Sequence, residues 1–139
     1  MLLEKLETTV MPPKPLRDVQ PLTDGEQLFD SPWTVVPAPG HSPGSIALWN
    51  ADSGALLTGD TLVTPFRRAQ GPHPIFSADL PRARQSALNL LDMEPRHIYP
   101  GHGPVVRGSA FEKIRLELRT KHGICSGVQH AHPPAAQAS

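Results

Sequence analysis

Residues 33–60, WTVVPAPGHSPGSIALWNADSGALLTGD, carry the pattern from which the rest of the fold is read. Trp33-Thr34-Val35-Val36 is rich in β-formers and predicts a strand. It runs into Pro39-Gly40-His41-Ser42-Pro43-Gly44, a rigid turn. Ser45 to Trp49 predicts a second strand, and Asn50-Ala51-Asp52-Ser53-Gly54 reads as a hairpin loop. Ala55-Leu56-Leu57-Thr58 is then the returning strand, ending at Gly59-Asp60.

Downstream, Pro65 to Pro74 is a loop carrying Arg67, Arg68 and His73, read as a solvated segment, with a role toward substrate as the alternative. Asp79 predicts an N-cap, with Pro81 in the first turn. Leu80, Ala83, Ala87, Leu88 and Leu91 mark an amphipathic helix. His97-Ile98-Tyr99 predicts a strand that ends at Pro100-Gly101-His102-Gly103, with His97 itself structural. Ser109 and Glu112 have capping-box spacing and predict a second helix ending near Gly123. Upstream, Leu2 to Thr9 predicts a short helix stopped by Pro12, Pro13 and Pro15, and Asp24-Gly25 a turn. Trp33 and Trp49 are expected in or beside the core.

Composition narrows the class. With 139 residues one domain is the expectation. There are 13 basic and 13 acidic residues, which removes the electrostatic case for a nucleic-acid partner or an anionic membrane surface. The 17 prolines and 11 glycines, about a fifth of the chain, argue against long helical bundles. One cysteine, Cys125, cannot form an internal disulfide. No apolar run approaches the ~20 residues that span a bilayer, and Glu4 and Lys5 interrupt the start where a signal sequence would be apolar. A cytoplasmic protein is expected. Residues 122–139 contain no Asp, Glu, Lys or Arg and little to bury, so 1–121 is read as the domain and 122–139 as a disordered tail.

His41, Asp60 and His102 stand out. Each follows a β-type segment and each adjoins glycine, which lets backbone turn sharply and approach a centre closely. Two imidazoles and one carboxylate suit zinc or a similar divalent ion, with a position left for water. The separations, 19 and 42 residues, are too long for a local metal motif. On residues alone, Pro-Gly-His turns that are only turns remain the competing reading. Gly40-His41-Ser42-Pro43-Gly44 also fits G-x-S-x-G, the nucleophile elbow, with Asp60 and His102 following in triad order. Two features count against that match. Pro43 has no N–H for an oxyanion hole, and a strand rather than a helix follows the serine. Ser42 is read as a turn hydroxyl.

Pro39-Gly40-His41-Ser42-Pro43-Gly44-Ser45, Thr58-Gly59-Asp60-Thr61-Leu62 and Tyr99-Pro100-Gly101-His102-Gly103-Pro104, in this order, resemble the metallo-β-lactamase superfamily over roughly residues 16 to 120. The resemblance implies an α+β fold, part of an αββα sandwich with a mainly antiparallel or mixed sheet and two flanking helices. It implies that His41 is a ligand of a first metal, that Asp60 bridges two metals as in glyoxalase-II-like members, and that His102 is a ligand of the second. Zinc is the expected metal, as one or two divalent ions, with manganese or iron as alternatives. The implied activity is hydrolysis of an ester, thioester, lactone, lactam or phosphodiester by metal-bound hydroxide.

The family's H-x-H-x-D-H motif has no match here. His130-Ala131-His132 is followed by Pro133-Pro134 where the Asp and His belong. The chain therefore resembles the C-terminal half of the superfamily fold. Such a half is expected to expose an apolar sheet face and an unpaired edge, and to use a homodimer partner or a complementing N-terminal half to act on a small-molecule substrate. The alternative expectation is a non-catalytic half-domain remnant that serves as a dimerisation or docking module.

Overall fold

The structure, a computed structural model, describes residues 19–121. The expected helix at Leu2–Thr9, the end of the second helix near Gly123 and the segment 122–139, with Cys125 and His130-Ala131-His132, lie outside the described residues.

Five strands form one sheet in the order β1-β2-β3-β4-β5. They are β1 (Thr34–Pro37), β2 (Ile46–Asn50), β3 (Ala55–Gly59), β4 (His97–Pro100) and β5 (Val106–Arg107). β1, β2 and β3 make an antiparallel meander, with Thr34 opposite Trp49 and Leu48 opposite Leu57. The turn after β2 is built as expected: Asn50 Oδ1 accepts from the Ser53 amide at 3.1 Å, and Gly54 takes φ +64°. β4 pairs parallel to β3, and β5 returns antiparallel to β4. β5 is two residues long, too short to leave a periodic signal in the sequence.

A parallel neighbour requires a crossover, and α1 (Leu80–Asp92) supplies it. Asp79 caps it through Oδ1, which accepts from the Arg82 amide at 3.0 Å, and Pro81 lies in the first turn. α2 (Glu112–Lys121) starts differently from expectation. The preceding residues Gly108–Phe111 wind as a 3₁₀ turn, and no side chain caps it. Glu112 Oε2 instead accepts from Arg115 Nη2 at 2.8 Å. The cause is the tether at Gly108, whose amide donates to Arg96 O at 3.0 Å and whose absent Cβ would lie 1.7 Å from Pro95 O. The chain is pinned there, and the tighter helix carries Phe111 into the core.

Both helices cover one face of the sheet. Val36, Ala47, Trp49, Leu56, Ile98 and Val106 on that face meet Ala87, Leu88, Leu91, Phe111 and Leu118. Trp49 is thus half-buried against the core, as expected. Phe111 is fully buried. Phe111→Ala is expected to cost about 3–5 kcal/mol, a large share of the ~5–15 kcal/mol typical of a whole domain, and to lower the urea midpoint accordingly.

The opposite face carries the row Leu48, Leu57 and Tyr99, adjacent in register across three strands. Tyr99 is 41% exposed. The outer edge of β1 is covered by residues 25–28, and β5 forms the other edge of the sheet. Val35 N donates to Glu26 O at 2.8 Å, Leu28 N to Trp33 O at 2.8 Å, and Gly25, at φ +76° in the expected turn, donates to Val35 O at 3.0 Å.

Candidate metal centre

Strand direction gathers the three residues singled out in the sequence. β1, β3 and β4 all run the same way, so the turns that follow them emerge at one end of the sheet. His41 follows β1, Asp60 follows β3 and His102 follows β4. Residues separated by 19 and 42 positions thereby meet. His97 begins β4 and so lies at the opposite end of the sheet, away from these three residues.

Asp60 sits between the two imidazoles. Its Oδ2 is 3.4 Å from His41 Nε2 and its Oδ1 is 3.5 Å from His102 Nε2. Both gaps exceed an ordinary N–H···O hydrogen bond of about 2.7–3.2 Å. They match a different geometry. Two ligand atoms bound at about 2.0–2.2 Å to one tetrahedral ion lie about 3.3–3.6 Å apart. Each carboxylate oxygen is thus paired with a different imidazole. Among the described residues, no group of three or more His, Cys, Asp or Glu is placed so that it could hold a metal ion.

Glycine makes this approach possible. Gly59 turns the chain into Asp60 with φ +50°. Gly101 donates its amide to Gly59 O at 2.9 Å, joining the two turns, and a Cβ on it would lie 2.5 Å from Asp60 Oδ1. Gly101→Ala is therefore expected to displace the carboxylate from His102. We expect metal affinity to drop about 10–100-fold, the scale of a disturbed outer shell, with secondary structure intact by circular dichroism. On the other side, Thr64 N donates to His102 O at 2.9 Å and Thr64 Oγ1 to Pro104 O at 2.6 Å.

The His41 turn rests on α1. Gly40, at φ +131°, is buried against the first turn of the helix, and Ser86 Oγ donates to Pro39 O at 2.7 Å. Ser42 Oγ lies 2.8 Å from Ser45 Oγ, and β2 rather than a helix follows. Ser42 is a turn hydroxyl, and the nucleophile-elbow geometry is absent.

The centre opens into a cleft of about 550 Å³. His41, Asp60 and His102 line it together with Val63, Pro65, Gln70, His73 and Phe76. Arg67 and Arg68 are exposed and are not among these lining residues, as a solvated loop predicts. His73 is exposed too, as a solvated loop predicts, and it also lines the same cleft as the three centre residues. Its flanking prolines, Pro72 and Pro74, and Phe76 beyond them were the available signal of a shaped loop.

The family model of the metallo-beta-lactamase superfamily matches residues 3–102. The chain belongs to the metallo-β-lactamase superfamily. A probable metallo-hydrolase of Bacillus subtilis, YflN, is 30% identical over 109 residues, which are 70% of this chain and 41% of that protein. A second, YqjP, is 32% identical over 91 residues, 61% of this chain and 28% of that one. The chain thus spans less than half the length of these superfamily relatives. Among solved structures, TTHA1623 in a di-iron-bound form is 34% identical with a TM-score of 0.59, covering 71% of this chain and 48% of that one. TTHA1429 of Thermus thermophilus, at 24% identity and a TM-score of 0.60, shares the fold over 76% of this chain and 36% of its own. Among the described residues no helix is long and apolar enough to cross a membrane.

Proposed function

We propose that the chain supplies the His41, Asp60 and His102 side of a metal-dependent hydrolase centre, acting on an ester, thioester, lactone, lactam or phosphodiester. The observation that carries this reading is Asp60, with one oxygen at each imidazole. Zinc suits two imidazoles and a carboxylate, and manganese or iron would accept the same donors. When bound, such ions supply Lewis acidity and activate water near neutral pH.

The chain's own residues hold the donors apart and in place. The Gly101–Gly59 hydrogen bond fixes the two turns, and the Thr64 contacts fix His102. Two donors per ion are too few for tight binding, so the remaining ligands come from outside the described residues, from a complementing half or a second copy. The apolar row Leu48, Leu57 and Tyr99 favours such a covering partner. That same row also suits a docking module without catalysis, the second reading.

Metal uptake separates the two. Ligands that bind only the folded state stabilise it, by about 2.7 kcal/mol at 100 times Kd. Zinc, manganese or iron(II) is expected to raise the thermal midpoint of the full chain, and His102→Ala to abolish at least half of that rise. Equal midpoints with and without each metal, in both proteins, would leave the docking module as the better reading.

A further inference from the structure

Two loop tips share the rim of the cleft, and both hold large apolar side chains in solvent. Phe66 is 96% exposed, Ile75 81% and Phe76 67%. The first tip hangs from the His102 turn, since Thr64 N donates to His102 O at 2.9 Å. An antiparallel bridge closes it, with Val63 N donating to Gln70 O at 3.1 Å and Gln70 N to Val63 O at 2.9 Å. Within it, Phe66 and Arg67 take φ +52° and +62°. That region is costly for a bulky side chain and persists only where the surroundings over-determine it. The second tip hangs from the His41 turn, since Ala78 N donates to His41 O at 3.1 Å. There the Ile75 amide donates to His73 Nδ1 at 3.2 Å and the Phe76 amide to His73 O at 3.3 Å. The Phe76 and His73 ring centroids are 4.7 Å apart. Pro65 and Phe76 both line the cleft, which places the two tips at one mouth.

The tips also share a sign of charge. Between Asp60 and Asp79 the chain has no Asp or Glu, while Arg67 and Arg68 are both exposed. Neither arginine forms an ion pair among the described residues. The balance of 13 basic and 13 acidic residues removes a long-range pull toward an anionic surface. It does not remove a local one, because attraction to a charged bilayer acts within a Debye length of about 8–10 Å. Exposed apolar side chains beside arginines suit an interface where the apolar atoms enter the acyl boundary and the guanidinium groups stay at the phosphates. A protruding tip needs a matching pocket on a protein partner, whereas a fluid lipid surface closes around it.

We propose that Phe66, Ile75 and Phe76, together with Arg67 and Arg68, seat the rim of the cleft on an anionic phospholipid bilayer. None of the five is a candidate metal ligand, so this docking is independent of the hydrolase reading.

The test is co-sedimentation of the full chain with phosphatidylglycerol vesicles and with phosphatidylcholine vesicles, in EDTA so that metal uptake plays no part. We expect binding to phosphatidylglycerol to be at least about 10-fold tighter, and to weaken between about 0.1 M and 1 M salt. The double variant Arg67→Gln, Arg68→Gln is expected to lose about 5-fold for each arginine removed. Phe66→Ala and Phe76→Ala should each lose at least about 5-fold. Phe29→Ala is the control, because Phe29 is 88% exposed but precedes β1 at the other end of the sheet. It should bind like the parent. On phosphatidylglycerol with brominated acyl chains, Phe66→Trp should lose more tryptophan emission than the parent, which reads insertion directly. Circular dichroism checks that each variant keeps the parent's fold. Binding that is absent, or equal on both lipids, would overturn the proposal. So would binding unchanged by the arginine pair, or by both phenylalanine variants. Sedimentation without vesicles that Phe66→Ala abolishes would make the tips a contact between copies of this chain, and would overturn the lipid reading as well. Each of these outcomes leaves the metal reading to its own test.

Discussion

Asp60→Ala is expected to weaken metal binding by the full chain at least about 100-fold, beyond the 10–100-fold typical of losing an outer-shell partner. The reason is its double duty. One oxygen stands at 3.4 Å from His41 Nε2 and the other at 3.5 Å from His102 Nε2. Removing the carboxylate leaves each imidazole as a lone donor on its side. Asp60→Asn should be milder and asymmetric, because the carboxamide keeps one oxygen and turns the other position into an N–H donor. Metal content after dialysis, measured for the parent and both variants, reads the effect directly. Folding stability should change little, within about 1 kcal/mol, since the carboxylate is part exposed and its two contacts are longer than hydrogen bonds. Full metal retention in Asp60→Ala would remove Asp60 from the centre.

The second large effect is on folding. Gly40→Ala places a methyl group 2.1 Å from Ala83 N and 2.3 Å from Ala83 Cα, which are backbone atoms of α1. It also imposes φ +131° on a residue with a side chain. Backbone strain of this kind costs about 1–3 kcal/mol, and overpacking typically another 1–3 kcal/mol. The total, about 2–6 kcal/mol, reaches the lower end of the ~5–15 kcal/mol stability of a small domain. We expect the urea midpoint to collapse, or the chain to be recovered unfolded. Gly44→Ala is the control in the same turn, because nothing lies within 4 Å of its Cβ and its φ is not left-handed. It should shift stability by no more than about 0.5–1 kcal/mol. Equal behaviour of the two variants would contradict the packing of α1 on the His41 turn.

Gly40 also illustrates how folding and chemistry share residues here. The glycine that lets α1 sit down on the sheet directly precedes His41. The hydrogen bonds from Ala78 and Asp79 to His41 O and Gly40 O tie the helix cap to the same turn. A change that loosens α1 is therefore expected to move the imidazole as well.

The strands around the first hairpin and the crossover helix with its Asp79 cap were legible in local sequence, because each depends on neighbours a few positions apart, and the resemblance to the superfamily was legible in three short motifs taken in order. β-Formers flanked by Pro-Gly and Asn-Ala-Asp-Ser-Gly punctuation announce strands, and an Asp before a proline in the first turn announces a helix start. The residue types at positions 41, 60 and 102 were likewise visible. Other features were settled by contacts between distant segments. The 3₁₀ entry to α2 follows from the Gly108 tether to Pro95 and Arg96, which overrode the local capping signal at Ser109. The cover on the β1 edge comes from residues 25–28, whose partners are set by register rather than by type. The convergence of His41, Asp60 and His102 depends on three strands running in one direction, and backbone bonds from Ala78 and Asp79 fasten the segment before α1 to the His41 turn. Residue chemistry is written one position at a time, but which groups face each other is decided by pairing across gaps of tens of residues, and no local pattern encodes that.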